Sequence, residues 1–122
     1  MVEEATMART YETQQACPIA RTLDVLGDRW TLLVIRDLRR GHTKFADLLV
    51  SLRGISPTVL SERLQSLERD GVVERRFYSD HPPRAEYSLT EKGNALAPVL
   101  QAITVWGNEH APRPPRPPRV DA

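Results

Sequence analysis

Cysteine is nearly missing from this sequence: Cys17 stands alone, so no internal disulfide can form. A lone thiol fits a reducing, cytoplasmic setting and leaves stability to a hydrophobic core. Unbalanced charge is missing too, since 17 basic residues meet 16 acidic ones and leave a formal net charge of +1. No global field forces a nucleic-acid partner, so any such argument rests on where individual charges sit. Long apolar runs are absent, and nothing approaches the roughly 18 residues of a membrane span. The opening residues carry Glu3 and Glu4 without an apolar stretch, unlike a secretory signal. His42, His81 and His110 are dispersed, and none stands at ligand spacing with Cys17, which argues against a metal site. No glycine-rich phosphate loop occurs, and no serine or cysteine has a base partner evident in the sequence. The expectation is a protein with no catalytic residues, no cofactor, no metal and no membrane attachment.

What is present has the composition of one globular domain: 122 residues, 40% hydrophobic and 27% charged. A chain this size buries a small core, and a dimer interface would enlarge it. Residues 1–16 show little periodicity and read as a flexible arm. Cys17-Pro18 opens a short helix with Ile19, Leu23 and Leu26 at i, i+4 and i+7, stopped by Gly27. Asp28 suits the cap of a second helix, lined inside by Trp30, Leu33, Val34 and Leu38 and ended by Arg39, Arg40 and Gly41. A third helix runs from Lys44 to Leu52. Arg53-Gly54-Ile55 is then a turn into the best-punctuated helix of the chain.

That central helix has Ser56 at its N-cap, Pro57 at its first position and Gly71 as its stop. Ile55 and Leu60 can form a hydrophobic staple across the cap. Leu60, Leu64 and Leu67 share one face, so Thr58, Ser61, Glu62 and Gln65 point the other way. Two short helices joined by a glycine-containing turn are the helix-turn-helix pattern. After Gly71 the period falls to about two. Residues 72–78 and Ala85 to Leu89 read as a hairpin around a loop, Ser79 to Pro83, too long and proline-rich for a two-residue turn. Thr90 caps a last helix that Pro98 should kink, or split after Ala97. Its apolar surface, with Leu96, Val99, Leu100, Ile103 and Trp106, exceeds what a small core can cover, so a partner subunit is expected. Residues 111–122 hold five of the ten prolines and read as an extended, disordered Pro/Arg-rich tail.

The fold expected for residues 17–110 is therefore mainly α (α+β): a winged helix-turn-helix with a two-stranded wing and terminal dimerisation helices. A short polar helix face suits a major groove, so Thr58, Ser61, Glu62 and Gln65 are the candidates to face bases of double-stranded DNA. Lys44, Arg53, Ser56 and Arg63 are candidates for phosphate contact, although Arg63 could instead pair with Asp47 or another acid. Arg75, Arg76 and Arg84 lie on the hairpin, with Arg84 best placed for a minor groove. The alternative for each arginine is a surface ion pair with Glu62, Glu68, Glu74 or Glu86. Cys17, beside a helix start, is either a redox sensor or a half-buried small residue. A rival to DNA binding is a winged-helix protein–protein adaptor, to which Glu62 lends support.

The segments Cys17-Pro18-Ile19-Ala20 through Leu26-Gly27-Asp28-Arg29-Trp30-Thr31-Leu32-Leu33 resemble the opening signature of HxlR-type regulators, relatives of the MarR group. Gly54-Ile55-Ser56-Pro57 with Leu60, Arg63 and Leu64, then Pro82-Pro83-Arg84 with Glu86 to Thr90, Gly93, Pro98 to Leu100 and Trp106, continue the match. The resemblance implies a bacterial, homodimeric transcription factor, a repressor or an activator, acting on an inverted-repeat operator. It implies a dimer interface built from the terminal helices, hence Ile19 with the last-helix residues above. It also implies that an oxidant or another small-molecule effector acts in some members, through the cysteine matching Cys17. Thr58, often basic in the family, and Glu62, where an amide is common, depart from the pattern at base-reading positions. The proline-arginine tail lies outside it.

Overall fold

Glycine stops and polar caps divide the chain into short helices around one apolar cluster. The computed structural model describes residues 11–115. A 3-10 turn, Glu12–Gln14, leads into helices α1 (Pro18–Leu26), α2 (Thr31–Arg39), α3 (Phe45–Ser51) and α4 (Pro57–Arg69). Strands β1 (Val73–Asp80) and β2 (Pro83–Leu89) follow, then α5 (Glu91–Asn94) and α6 (Ala97–His110). The result is the expected winged helix-turn-helix, with β1 and β2 paired antiparallel as the wing. Residues 1–10 of the expected arm and 116–122 of the expected tail lie outside the described residues. Residues 11–16 are tied to α1: the Tyr11 N–H and the Gln15 amide donate to the Asp24 carboxylate at 3.0 and 3.1 Å.

The core joins Val34, Ile35 and Leu38 of α2, Leu48 of α3, and Leu60, Leu64 and Leu67 of α4. Each fully buried leucine contributes about 2 kcal/mol, so the inner face of α4 fixes its outer face. Both ends of α4 are closed by local chemistry. The Val59 N–H donates to Ser56 Oγ at 3.1 Å, and Ile55 and Leu60 are both buried, as a staple requires. At the far end, Gly71 takes φ +77°. There the Val72 N–H reaches the Leu67 carbonyl at 2.9 Å and the Gly71 N–H reaches Glu68 at 3.1 Å. That pair of bonds is a Schellman motif, which a residue with a Cβ disfavours.

Several boundaries differ from the sequence reading. The last helix is divided before Ala97, so Pro98 sits in the first turn of α6, where its missing N–H has no carbonyl to lose. The hairpin turn is only His81-Pro82, because Asp80 already pairs with Pro83. Between Phe77↔Ala85 and Ser79↔Arg84 the register shifts by one residue, making Tyr78 the extra residue of a bulge that bends the wing tip. Leu33, expected inside α2, is 36% exposed. Beyond the two expected strands, Lys44 bridges Glu86 and the Tyr87 N–H donates to the Thr43 carbonyl at 2.8 Å, which anchors the wing to the start of α3.

Candidate nucleic-acid interface

The buried leucines of α4 leave Thr58, Glu62 and Gln65 exposed and Ser61 half-buried on its opposite side. These four positions form one polar strip with no large aliphatic side chain. Ser56, exposed at the N-cap, closes the helix start with its hydroxyl. Around the strip stand basic side chains from other elements. Arg53 is exposed in the turn before α4, and Lys44 is exposed at the N-cap of α3. The Lys44 ammonium lies 5.1 Å from the ring centroid of Tyr78, the bulge residue, which links the outer part of the wing to the start of α3. On the wing, Arg76 and Arg84 are exposed. Arg84 pairs with Ser79 at the tip, beyond the bulge.

Two of the candidate arginines are engaged within the chain. Arg75 Nε is 3.7 Å from Glu68 Oε2, and its guanidinium lies 5.3 Å from the Phe77 ring centroid. Arg75 therefore braces β1 against α4, the ion-pair alternative read from the sequence. Arg63 likewise takes the ion-pair alternative read from the sequence. Its Nη1 donates to Asp28 Oδ2, and its side chain is only 20% exposed. Position 63 lies between the buried and outward sides of α4, so its guanidinium turns back to the α1–α2 junction and leaves the free phosphate-binding set. Its partner is Asp28, among the acids left open beside Asp47. No periodicity could have found that pair, because 35 positions separate the two residues.

Asp28, expected from the sequence as a helix cap, also holds Arg63 beside the polar strip. Its Oδ1 accepts the Trp30 N–H at 2.7 Å, the Thr31 N–H at 3.0 Å and the Thr31 hydroxyl at 3.0 Å. Burial pushes its carboxyl up, but these donors and the Arg63 charge outweigh burial and hold it below the usual aspartate value.

The expected dimer residues divide into two groups. Leu96 and Leu100 are half-buried and pack on the chain's own core. They lie at i and i+4, on the side of α6 turned toward that core. Val99, Ile103 and Trp106 are left outward at 39%, 47% and 62% exposure, and Ile19 on α1 is 70% exposed. Cys17 is a half-buried free thiol at the N-cap of α1. Among the described residues, no helix is long and apolar enough to cross a membrane.

Residues 25–115 match the HxlR-like helix-turn-helix family. The HTH-type transcriptional regulator YvaP of Bacillus subtilis is 43% identical over 96 residues, covering 78% of this chain and 89% of YvaP. Among solved structures, the reduced form of the transcriptional regulator YodB from B. subtilis is 36% identical, with a TM-score of 0.67 over 77% of this chain and 93% of YodB. The redox regulator HypR in its reduced form is 34% identical, with a TM-score of 0.72 over 78% of this chain and 96% of HypR. The family's span and these identities carry the conclusion that the chain belongs to the HxlR-like helix-turn-helix family of transcriptional regulators.

Proposed function

We propose that two copies of this chain form a homodimer that binds double-stranded DNA at an inverted-repeat operator and thereby represses or activates transcription. The observation that carries this reading is the polar outer strip of α4, with exposed cations on the two elements that flank it. In this reading α4 enters the major groove, where Thr58, Ser61, Glu62 and Gln65 face base edges. Lys44, Arg53 and Ser56 hold the adjacent phosphates, with Arg76 on the wing. Arg84 at the wing tip reaches the minor groove or its phosphates. The outward apolar residues Ile19, Val99, Ile103 and Trp106 are covered by the second copy. Each cation that neutralises a phosphate steepens the salt dependence of binding by nearly one unit of log–log slope. Arg84→Ala is therefore expected to weaken operator binding and lower that slope by about one. A gel-shift series across salt measures both, and an unchanged slope would remove Arg84 from the contact set.

The proposal includes an oxidant or another electrophilic small molecule as effector, acting at Cys17. The likeness to HypR, a redox regulator, supports it, as does the position of the thiol at the start of α1, whose Ile19 is assigned to the dimer surface. Mild oxidation should change DNA affinity in the native chain and leave Cys17→Ser unaffected. Identical responses in the two proteins would discard the sensor role.

A further inference from the structure

Among the four strip positions Thr58, Ser61, Glu62 and Gln65, Glu62 alone is charged. A carboxylate facing a duplex is repelled by phosphate, so it weakens binding to every sequence. It recovers that loss where a base edge donates a hydrogen bond to it. In the major groove, adenine presents a donor beside an acceptor, which an amide matches and an ionised carboxylate does not. Cytosine presents its N4 amino donor alone. The chemistry of position 62 therefore selects cytosine.

One cation stands beside the exposed Glu62 carboxylate. Arg63 Nη2 stands 3.6 Å from Glu62 Oε1, while Nη1 of the same guanidinium donates to Asp28 Oδ2. Asp28 is in turn fixed by the Trp30 and Thr31 amides at the start of α2. Exposure rises along this chain of charge, from 12% at Asp28 to 20% at Arg63 and 57% at Glu62. A rigid acid thus holds a largely buried base, and that base steadies an exposed acid on the groove-facing surface. The Arg63 charge also offsets part of the repulsion between Glu62 and the nearest phosphate.

We infer that Glu62 reads the N4 amino group of a cytosine in each half-site, and that Arg63, anchored on Asp28, is the positioning residue that presents it. This rests on the reading above that α4 faces DNA.

Binding-site selection from a random duplex library, run with the full chain and with Glu62→Gln, tests it. The native chain is expected to enrich an inverted repeat with a cytosine fixed in one column of each half-site. Glu62→Gln is expected to lose that cytosine in favour of adenine, to reduce discrimination at the column roughly tenfold, and to bind non-operator DNA more tightly. The same motif from both proteins overturns the assignment, as does a native motif without the cytosine. If the native chain enriches no motif at all, the DNA-facing reading of α4 fails first, which separates that failure from this one. Arg63→Met is expected to lose the cytosine column alone while the others persist, and Arg63→Lys to recover it in part. A uniform loss across all columns makes Arg63 a structural residue only and overturns its positioning role. Should Arg63→Met not fold, the column selected by Arg63→Lys decides between the same two outcomes.

Discussion

Between α1 and α2, the Asp28 carboxylate accepts the Trp30 and Thr31 amides, the Thr31 hydroxyl and the Arg63 guanidinium. It caps one helix and holds another. Asp37 does related work at the other end of α2, where it is fully buried with Arg36 Nε at 3.0 Å and Arg40 at 3.8 Å. Burial pushes the Asp37 carboxyl up, but Ser51, Arg36 and His42 together bring it below its ordinary value, as the donors around Asp28 do there. A carboxyl whose folded pKa is depressed stabilises the fold above its unfolded pKa, near 4, and loses that contribution as pH falls through the folded value. The urea midpoint is therefore expected to hold between about pH 7 and pH 5 and to fall below about pH 4. Asp28→Asn should cost about 2 kcal/mol at neutral pH and should show a shallower acid decline than the native chain. An equal acid decline in both would show that Asp28 does not contribute through its charge.

At the scale of elements, the C-terminal end of α4 is fastened by α5. The Thr90 hydroxyl accepts the Gly93 N–H at 3.1 Å and lies 2.6 Å from the Gly71 carbonyl, to which it can donate. The Lys92 ammonium donates to the Asp70 carbonyl at 2.7 Å. A Cβ on Gly93 would stand 2.3 Å from the Val72 carbonyl oxygen, so only glycine allows this approach. Thr90→Val keeps the shape and removes the hydroxyl; it should destabilise the chain by about 2 kcal/mol, read as a lower denaturation midpoint with an unchanged m-value. The helices around this junction were legible in the sequence because their ends carry local signals: Ser56 with Pro57, Gly71, and Thr90. The outward strip of α4 was legible for a related reason, since Leu60, Leu64 and Leu67 fix which side is buried. The wing tip was not, because the bulge at Tyr78 depends on register between two strands and has no marker within either. The Asp28–Arg63 pair was hidden because only tertiary packing brings α4 against the α1–α2 junction. The contact of Leu96 and Leu100 with the chain's own core was not legible, because an apolar helix face does not declare which of two covers it meets, that core or a partner.

For the whole molecule, the outward faces of α1 and α6 decide whether a single chain is the working unit. Ile103, at 47% exposure, lies between Val99 and Trp106 on that surface. A charge placed there would have to be buried without a partner on association, at a cost of several kcal/mol. Ile103→Glu is expected to leave the fold intact and weaken dimerisation at least a hundredfold, measured by sedimentation equilibrium; an unchanged dissociation constant would move the interface elsewhere. In the proposed dimer, two such chains set a matched pair of α4 helices on one duplex. The most direct measurement is a hydroxyl-radical footprint of the full chain on a selected genomic fragment. Two symmetric protected patches are expected on one face of the duplex, with centres about one helical turn apart. A single protected patch, with no symmetric counterpart at saturation, would contradict that arrangement.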